Sequence, residues 1–251
     1  MQPSFPLWVT ITLTAASIGI PVLAWLVLRR FARGTSRSVA ILSAAFFAVW
    51  VVAVFALAAR GFFAPASTLG VPPIAYAFIP MALGYLAYLS SRSLRAVVHQ
   101  IPLDWIIGFQ LYRVLGVVFL VEWWLGALPA VFALPAGVGD VAIGIAAPSV
   151  AALIARGAPN ARSAALRWNL LGIADLVVAL TLGVLTVPGQ LHLLALDAPN
   201  RAVTMLPLVL IPTILVPLSI LLHLVGLHRL RGSARRGALT NALRVGEPRS
   251  A

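Results

Sequence analysis

Three ionisable residues interrupt apolar runs that otherwise carry almost no charge: Arg113, Asp140 and Asp175. A lone charge at the centre of a bilayer costs from about 2.5 kcal/mol upward, so such residues face the interior of a helix bundle and pair there. Counted by helical rise from the ends of their runs, Arg113 lies ~12 Å in from one side, Asp140 ~13.5 Å in from the other and Asp175 ~10.5 Å in, all near the midplane. Arg113 is the basic group within reach of both aspartates. If it pairs with one, the other holds a proton or an incoming cation. Gln110, one turn earlier on the same helical face, is placed to orient the guanidinium. Midplane carboxylates sharing one arginine are the elements of a proton- or cation-coupled transport site, and equally of an Arg–Asp clamp that fixes helix packing and moves nothing.

The small residues around the aspartates repeat. Gly137-Val-Gly-Asp140 is followed by Gly144, and Gly172-Ile-Ala-Asp175 by Ala179, so small side chains lie three before and four after each aspartate, on its own face. That spacing predicts close helix contacts with the aspartates inside them. The glycines Gly137, Gly139 and Gly144 also leave room beside Asp140, which marks it as the group that exchanges and Asp175 as the arginine's partner. Secondary polar candidates are Glu122, Asn169 and His223. Glu122, nine residues beyond Arg113, turns to the opposite face and belongs to an outer vestibule or to a snorkelling surface group. Asn169 and His223, near the cytoplasmic ends of their helices, either extend a polar path inward or are single polar residues satisfied by helix-to-helix hydrogen bonds. His192 and Asp197 read either as a solvated outer loop or as members of the vestibule with Glu122. Trp123, Trp124 and Trp168 read as interfacial anchors.

The elements that must position these groups are seven apolar spans, 7–28, 39–59, 72–89, 105–125, 131–155, 168–187 and 202–227, each long enough to cross about 30 Å of hydrocarbon. The expected fold is an all-α membrane bundle over 1–228, followed by a basic, disordered cytoplasmic tail over 229–251. All eighteen cationic residues are arginine: fifteen lie on alternate loops and the tail, while the opposite side carries Arg60 and Arg201. The positive-inside rule then puts the amino end outside and the carboxyl end in the cytoplasm, in the cell membrane of a bacterium. Arginines follow the first apolar run and do not precede it, so that run reads as a retained helix and not a cleaved signal. Between the third and fourth spans, Arg92, Arg95 and His99 share one helical face and Leu94, Val98 and Ile101 the other, as in an interfacial helix; a turn carrying positive-inside arginines fits too. The fourth and fifth spans are joined through Gly126, with Pro129 opening the descent, as a tight hairpin. Pro207, Pro212 and Pro217 free the carbonyls of Val203, Leu208 and Thr213 in the last span, predicting a bent helix whose exposed backbone faces protein or water.

Composition bounds the chemistry. With 61% apolar residues, 10% charged and a mean hydropathy of +1.02, there is no room for a soluble domain. The net charge of +12 is dispersed over short loops with little aromatic content, which favours anionic lipid at the cytoplasmic face over nucleic acid as partner. No lysine is present for a retinal Schiff base, no cysteine for thiolate chemistry, too few in-span histidines for haem or di-iron, and no phosphate-binding loop, so no cofactor and no metal is expected. Gly137-Val-Gly-Asp140 resembles the Gly-x-Gly-Asp motif of intramembrane aspartyl proteases, which implies an enzyme using two membrane aspartates to activate water. In that family the motif aspartate is the second of the pair, whereas here Asp175 follows it; Asp104 precedes it but sits at the boundary, and there is no Tyr-Asp dipeptide. The readings are therefore a coupled small-molecule or cation transporter or channel, a structural or partner-binding subunit, or an enzyme on lipid or isoprenoid. Single cysteines introduced at Ser4 and Ser233 should react with an impermeant thiol reagent from opposite sides of the membrane only; same-side labelling would require an even number of spans.

Overall fold

The computed structural model describes residues 5–33, 36–64 and 73–245, and for residues 73 and 233–245 the backbone alone. Residues 1–4, which include Ser4, most of the 60–71 loop and residues 246–251 of the expected tail lie outside the described residues. Among the described residues the chain forms nine α-helices, three 3₁₀ stretches and one π-helical turn, with no strand. The α-helices are α1 (Leu7–Ala32), α2 (Arg37–Ala59), α3 (Ile79–Ser90), α4 (Arg92–Gln100), α5 (Leu103–Gly108), α6 (Val117–Trp124), α7 (Ala130–Ala155), α8 (Ala161–Thr186) and α9 (Val216–Val245). Six helical segments are long and apolar enough to cross a membrane: α1, α2, Leu103–Trp124, α7, α8 and Ile211–Gly232. A seventh follows if Ile74–Ser90 and α4, bent by 94° at Ser91, count as one span. Segments of this kind are consistent with a membrane protein.

The bend has a local cause. Ser91 adopts an extended backbone and its hydroxyl accepts from Leu94 N at 3.1 Å, so one residue ends α3 and caps α4. The α4 helix lays Val97 and Val98 inward and keeps Arg92 and His99 exposed, the amphipathic arrangement read from its sequence. Pro73–Phe78 forms a 3₁₀ stretch ahead of α3, which lengthens the third apolar segment by the larger 3₁₀ rise. Gly126, with φ at +78°, turns the chain from α6 towards Pro129 and α7.

The last span is central: 67% of its apolar window is buried in the protein, against 22% for α1, α2, α7 and α8. It differs from the sequence expectation at both ends. Regular α-helix does not begin at 202; a 3₁₀ turn at Ala202–Thr204 and further turns lead into a π-helical turn at Ile211–Leu215, because Pro207, Pro212 and Pro217 deny the backbone three donors in eleven residues. At the other end α9 continues past Leu227 to Val245. The irregular stretch is sheltered by protein, with Leu208, Val209 and Leu210 fully buried, the condition under which a bilayer tolerates non-helical backbone. Of the carbonyls that the prolines free, that of Thr213 accepts the Trp50 indole N–H at 3.1 Å. Trp50 itself is held in an aromatic cluster with Phe46 and Phe47. Trp50→Phe should therefore cost about 1–3 kcal/mol, the penalty of an unsatisfied buried acceptor. The loss should shrink in a Pro217→Ala background, where a restored backbone N–H serves the same carbonyl; unfolding of both variants in detergent micelles measures the coupling.

Candidate functional site

Arg113 lies in a 3₁₀ stretch, Phe109–Gly116, inserted between α5 and α6 and bounded by Gly108 and Gly116. In a 3₁₀ helix residues i and i+3 eclipse, and Gln110, Arg113 and Gly116 form one buried row directed at α7. Gly116 admits Asp140: a Cβ there would collide with the Asp140 side chain. The guanidinium, with its side chain 1% exposed, then meets groups from three further elements. Arg113 Nε donates to Asp140 Oδ1 at 2.8 Å, and Nη2 lies 2.8 Å from the same oxygen. Nη2 also pairs with Asp175 Oδ2 on α8. Nη1 donates to the Gly172 carbonyl at 3.3 Å and stands 3.1 Å from His223 Nε2 on α9. Among the described residues, these are the chain's ion pairs.

The hydrogen-bond pattern orders the protons behind the arginine. Arginine only donates, so His223 Nε2 accepts, and Nδ1–H donates to Asn169 Oδ1 at 3.0 Å. Asn169 Nδ2 in turn donates to the Ala165 carbonyl at 2.8 Å. This pattern calls for a neutral imidazole, which leaves one guanidinium charge facing two carboxyl groups. Trp168 packs its ring against His223 at 4.9 Å between centroids and donates to the Ile143 carbonyl at 3.0 Å. It is a buried wall of the cluster, not an interfacial anchor as its position in the sequence suggested.

Three more sequence expectations are corrected. Gln110 does not orient Arg113: it is fully buried and neither amide atom has a hydrogen-bond partner, while His223, Gly172 and the two aspartates hold the guanidinium. Glu122 is neither in a vestibule nor snorkelling; it is fully buried, with both carboxyl oxygens unpartnered. The 3₁₀ stretch turns the chain about 120° per residue against about 100° in α-helix, so Glu122 sits about 120° round from Arg113 and not opposite it. The glycines beside Asp140 are not free space: Cβ atoms at Gly137 and Gly144 would run into Leu120 and the Val114 backbone, and one at Gly139 into Asp175. Gly172 likewise abuts His223 and Arg113.

What space exists near Asp140 lies on another side. A cavity of about 10 Å³ is bounded by Tyr112, Arg113, Gly116, Asp140 and Ser219 with apolar neighbours, room for about one water. Tyr112 Oη bonds Ser219 Oγ at 2.7 Å and lies 3.1 Å from the Leu215 carbonyl in the π-helical turn, so serine donates to tyrosine and tyrosine to the carbonyl. Neither residue stood out in the sequence, although a tyrosine beside a buried arginine needs a partner for its hydroxyl. In the connection after α8, Asn200 bonds Thr186 Oγ1 at 3.2 Å and caps the turn at Val203, while Asp197 stays exposed in its loop and His192 half-buried. A guanidinium stands between the two aspartates, an arrangement different from a carboxyl dyad sharing one proton over a bound water.

Arg113→Leu removes the charge that both aspartates face and should destabilise the protein by roughly 3–5 kcal/mol. Adding Asp140→Asn and Asp175→Asn should restore most of the loss. Arg113→Lys should restore little, since an ammonium lacks the planar fork that meets four groups at once. Thermal unfolding in micelles reads all three, and an Arg113→Leu protein as stable as wild type would show that the pairs contribute nothing to folding.

No curated protein and no solved structure matches the chain. One family model does, over residues 71–231, which takes in the third apolar segment, Arg113, both aspartates, Asn169 and His223 and leaves α1 and α2 outside. The chain belongs to that family, described as a domain of unknown function, DUF8737.

Proposed function

We propose that the protein is a multi-pass protein of a bacterial cell membrane, with seven spans, the amino end outside and the carboxyl end in the cytoplasm, whose Arg113/Asp140/Asp175 cluster couples proton or cation occupancy to the passage of a small molecule or ion. The observation that carries this is the charge count at the cluster: one guanidinium, two carboxylates and an imidazole whose bonds are those of the neutral ring. A surplus negative charge enclosed by apolar helices calls for a proton or a cation, and a group that must be compensated in this way is one whose occupancy can change during a cycle. Asp140 is the exchanging group. Its Oδ1 receives the arginine, while its side chain borders the small cavity with Tyr112 and Ser219, where one water would stand. Asp175 stays with Arg113 on the α8 side.

A second reading is favoured by a different observation. The glycines at 116, 139 and 172 close tightly on the charged groups, as they would in a clamp whose task is to lock four helices. Flux measurements separate the two. In proteoliposomes bearing a pH gradient, wild type should support proton leak or proton-driven uptake, and Asp140→Asn should abolish it while its unfolding temperature stays close to wild type. A folded Asp140→Asn protein with wild-type flux for every substrate tried would leave the clamp as the role of the cluster.

A further inference from the structure

A second, much larger cavity lies away from the charged cluster. It has a volume of about 710 Å³, within the range of small-molecule and cofactor sites, and is enclosed by α1, α2, α3, α4, α5 and the α9 helix. Its walls are almost wholly apolar. The Ser43 hydroxyl is spent on the Val39 carbonyl of its own helix, and that of Ser91 caps α4. Tyr88 is the exception: it lines the cavity at 2% exposure, and its hydroxyl has no hydrogen-bond partner. Walls this apolar offer a water few hydrogen-bond partners. Leu42, Leu83 and Trp105 line it and are also exposed on the outer flank of the bundle, so the cavity opens sideways among the apolar residues that would meet lipid.

One end of the cavity is cationic. Arg229 reaches the carbonyls of Val98 and Ile101, two residues of the cavity wall, with Nη1 at 3.3 and 2.5 Å. It is half-buried, and among the described residues no carboxylate lies within ion-pair distance of it. Arg95, one residue after the wall residue Leu94, reaches back to the Leu89 carbonyl, one residue beyond Tyr88. Arg29 and Arg30 follow the wall residues Val27 and Leu28 at the end of α1, and Arg37 opens α2 just ahead of Val39.

We propose that this cavity binds an anionic phospholipid, its acyl chain in the apolar space and its phosphate at the rim formed by Arg229, Arg95 and Tyr88. Basic pockets between membrane helices bind anionic headgroups, each arginine near the surface contributing about 1 kcal/mol, or about fivefold in affinity. The chain supplies the contacts that an empty apolar cavity lacks, and the phosphate oxygens accept from the guanidinium and from the unpartnered phenol. This inference rests on the protein's lying in a bilayer and is independent of transport at Asp140.

The test uses full-length protein, delipidated in mild detergent, and three probes: phosphatidylglycerol, phosphatidylcholine with the same acyl chains, and free glycerol phosphate. Phosphatidylglycerol should bind saturably at one per chain, phosphatidylcholine several-fold more weakly, and glycerol phosphate not measurably. Arg229→Gln should weaken phosphatidylglycerol by about fivefold and leave phosphatidylcholine unchanged. Ser43→Trp, which puts an indole into the cavity without removing a cation, should weaken binding of both lipids. Arg156→Gln, on a cytoplasmic loop outside the cavity, should change nothing. Arg229 also holds the carbonyls at the end of α4, so if Arg229→Gln does not fold, Ser43→Trp and the comparison of probes on wild type carry the test. A phosphatidylglycerol carrying a diazirine midway along one chain should crosslink to Phe46, Leu83 and Leu221. Adducts spread instead over the exposed outer faces of α7 and α8, such as Val138 and Leu171, would overturn the proposal, as would lipid binding unchanged in a folded Ser43→Trp protein. Glycerol phosphate binding as tightly as the lipid would show a headgroup site with no role for the cavity, and would overturn it too.

Discussion

The Arg113 guanidinium has five N–H groups, and the structure gives them five contacts on three other helical elements: two to Asp140 on α7, one each to Asp175 and the Gly172 carbonyl on α8, and one to His223 on α9. Transferring such a cation unpaired into hydrocarbon is costly, and removing one partner from a buried pair costs more than the pair gains. The relative placement of four helical segments is therefore constrained at one point. A lysine could not serve, because its three donors radiate from one atom and cannot meet acceptors spread over three neighbouring helices. The imidazole's orientation is set in the same way, with Asn169 behind it and Trp168 against its face.

Bringing these groups together demands that the backbones come very close, and the glycines record where. Gly116, Gly139 and Gly172 each face a charged or polar side chain of the cluster, and none could carry a Cβ without displacing it. Small residues in membrane helices are usually read as surfaces for backbone-to-backbone approach. Here they make room for a carboxylate, a second carboxylate and an imidazole. Gly137 and Gly144 do serve the usual purpose, closing on Leu120 and the Val114 backbone of the neighbouring span.

The difference between those two sets of glycines explains how much could be read from the amino-acid order. Apolar runs locate the helical segments, and the Gly-x-x-Asp spacing marks a helix contact, because both depend on local periodicity. The meeting of Arg113 with the aspartates follows from charge alone, since nothing else could offset them at depth. Gly139 and Gly116 act through partners on other helices, so no local pattern exposes them. The errors at Gln110 and Glu122 differ in cause: Gln110 does share the face of Arg113 but its amide makes no bond, whereas the rotation to Glu122 is wrong. An angular argument at 3.6 residues per turn fails across eight residues of 3₁₀ helix, and nothing in the Phe109–Gly116 composition announces that geometry except the glycines at its borders. The three prolines of the last span were a stronger signal, because each removes a donor outright, and the Trp50 indole is found on one of the carbonyls they release.

The two cavities share a helix. Leu218, Leu221 and Leu222 of α9 line the large apolar one, whereas Leu215 and Ser219 of the same segment line the small one beside Asp140. Between them, Leu218 and Ser219 are neighbours in sequence, and the segment just before them is the π-helical turn whose carbonyls are held by Trp50 and Tyr112. A π turn carries an extra residue per turn, and its loss or movement rotates everything that follows by roughly 100°. Any such shift would move a wall of the apolar cavity and the serine beside the carboxyl group together. The α1 and α2 helices, which lie outside the family match, complete the apolar cavity and not the charged cluster. The matched portion thus contains the ionic centre whole, and the two additional helices meet α9 on its other side, at the apolar cavity.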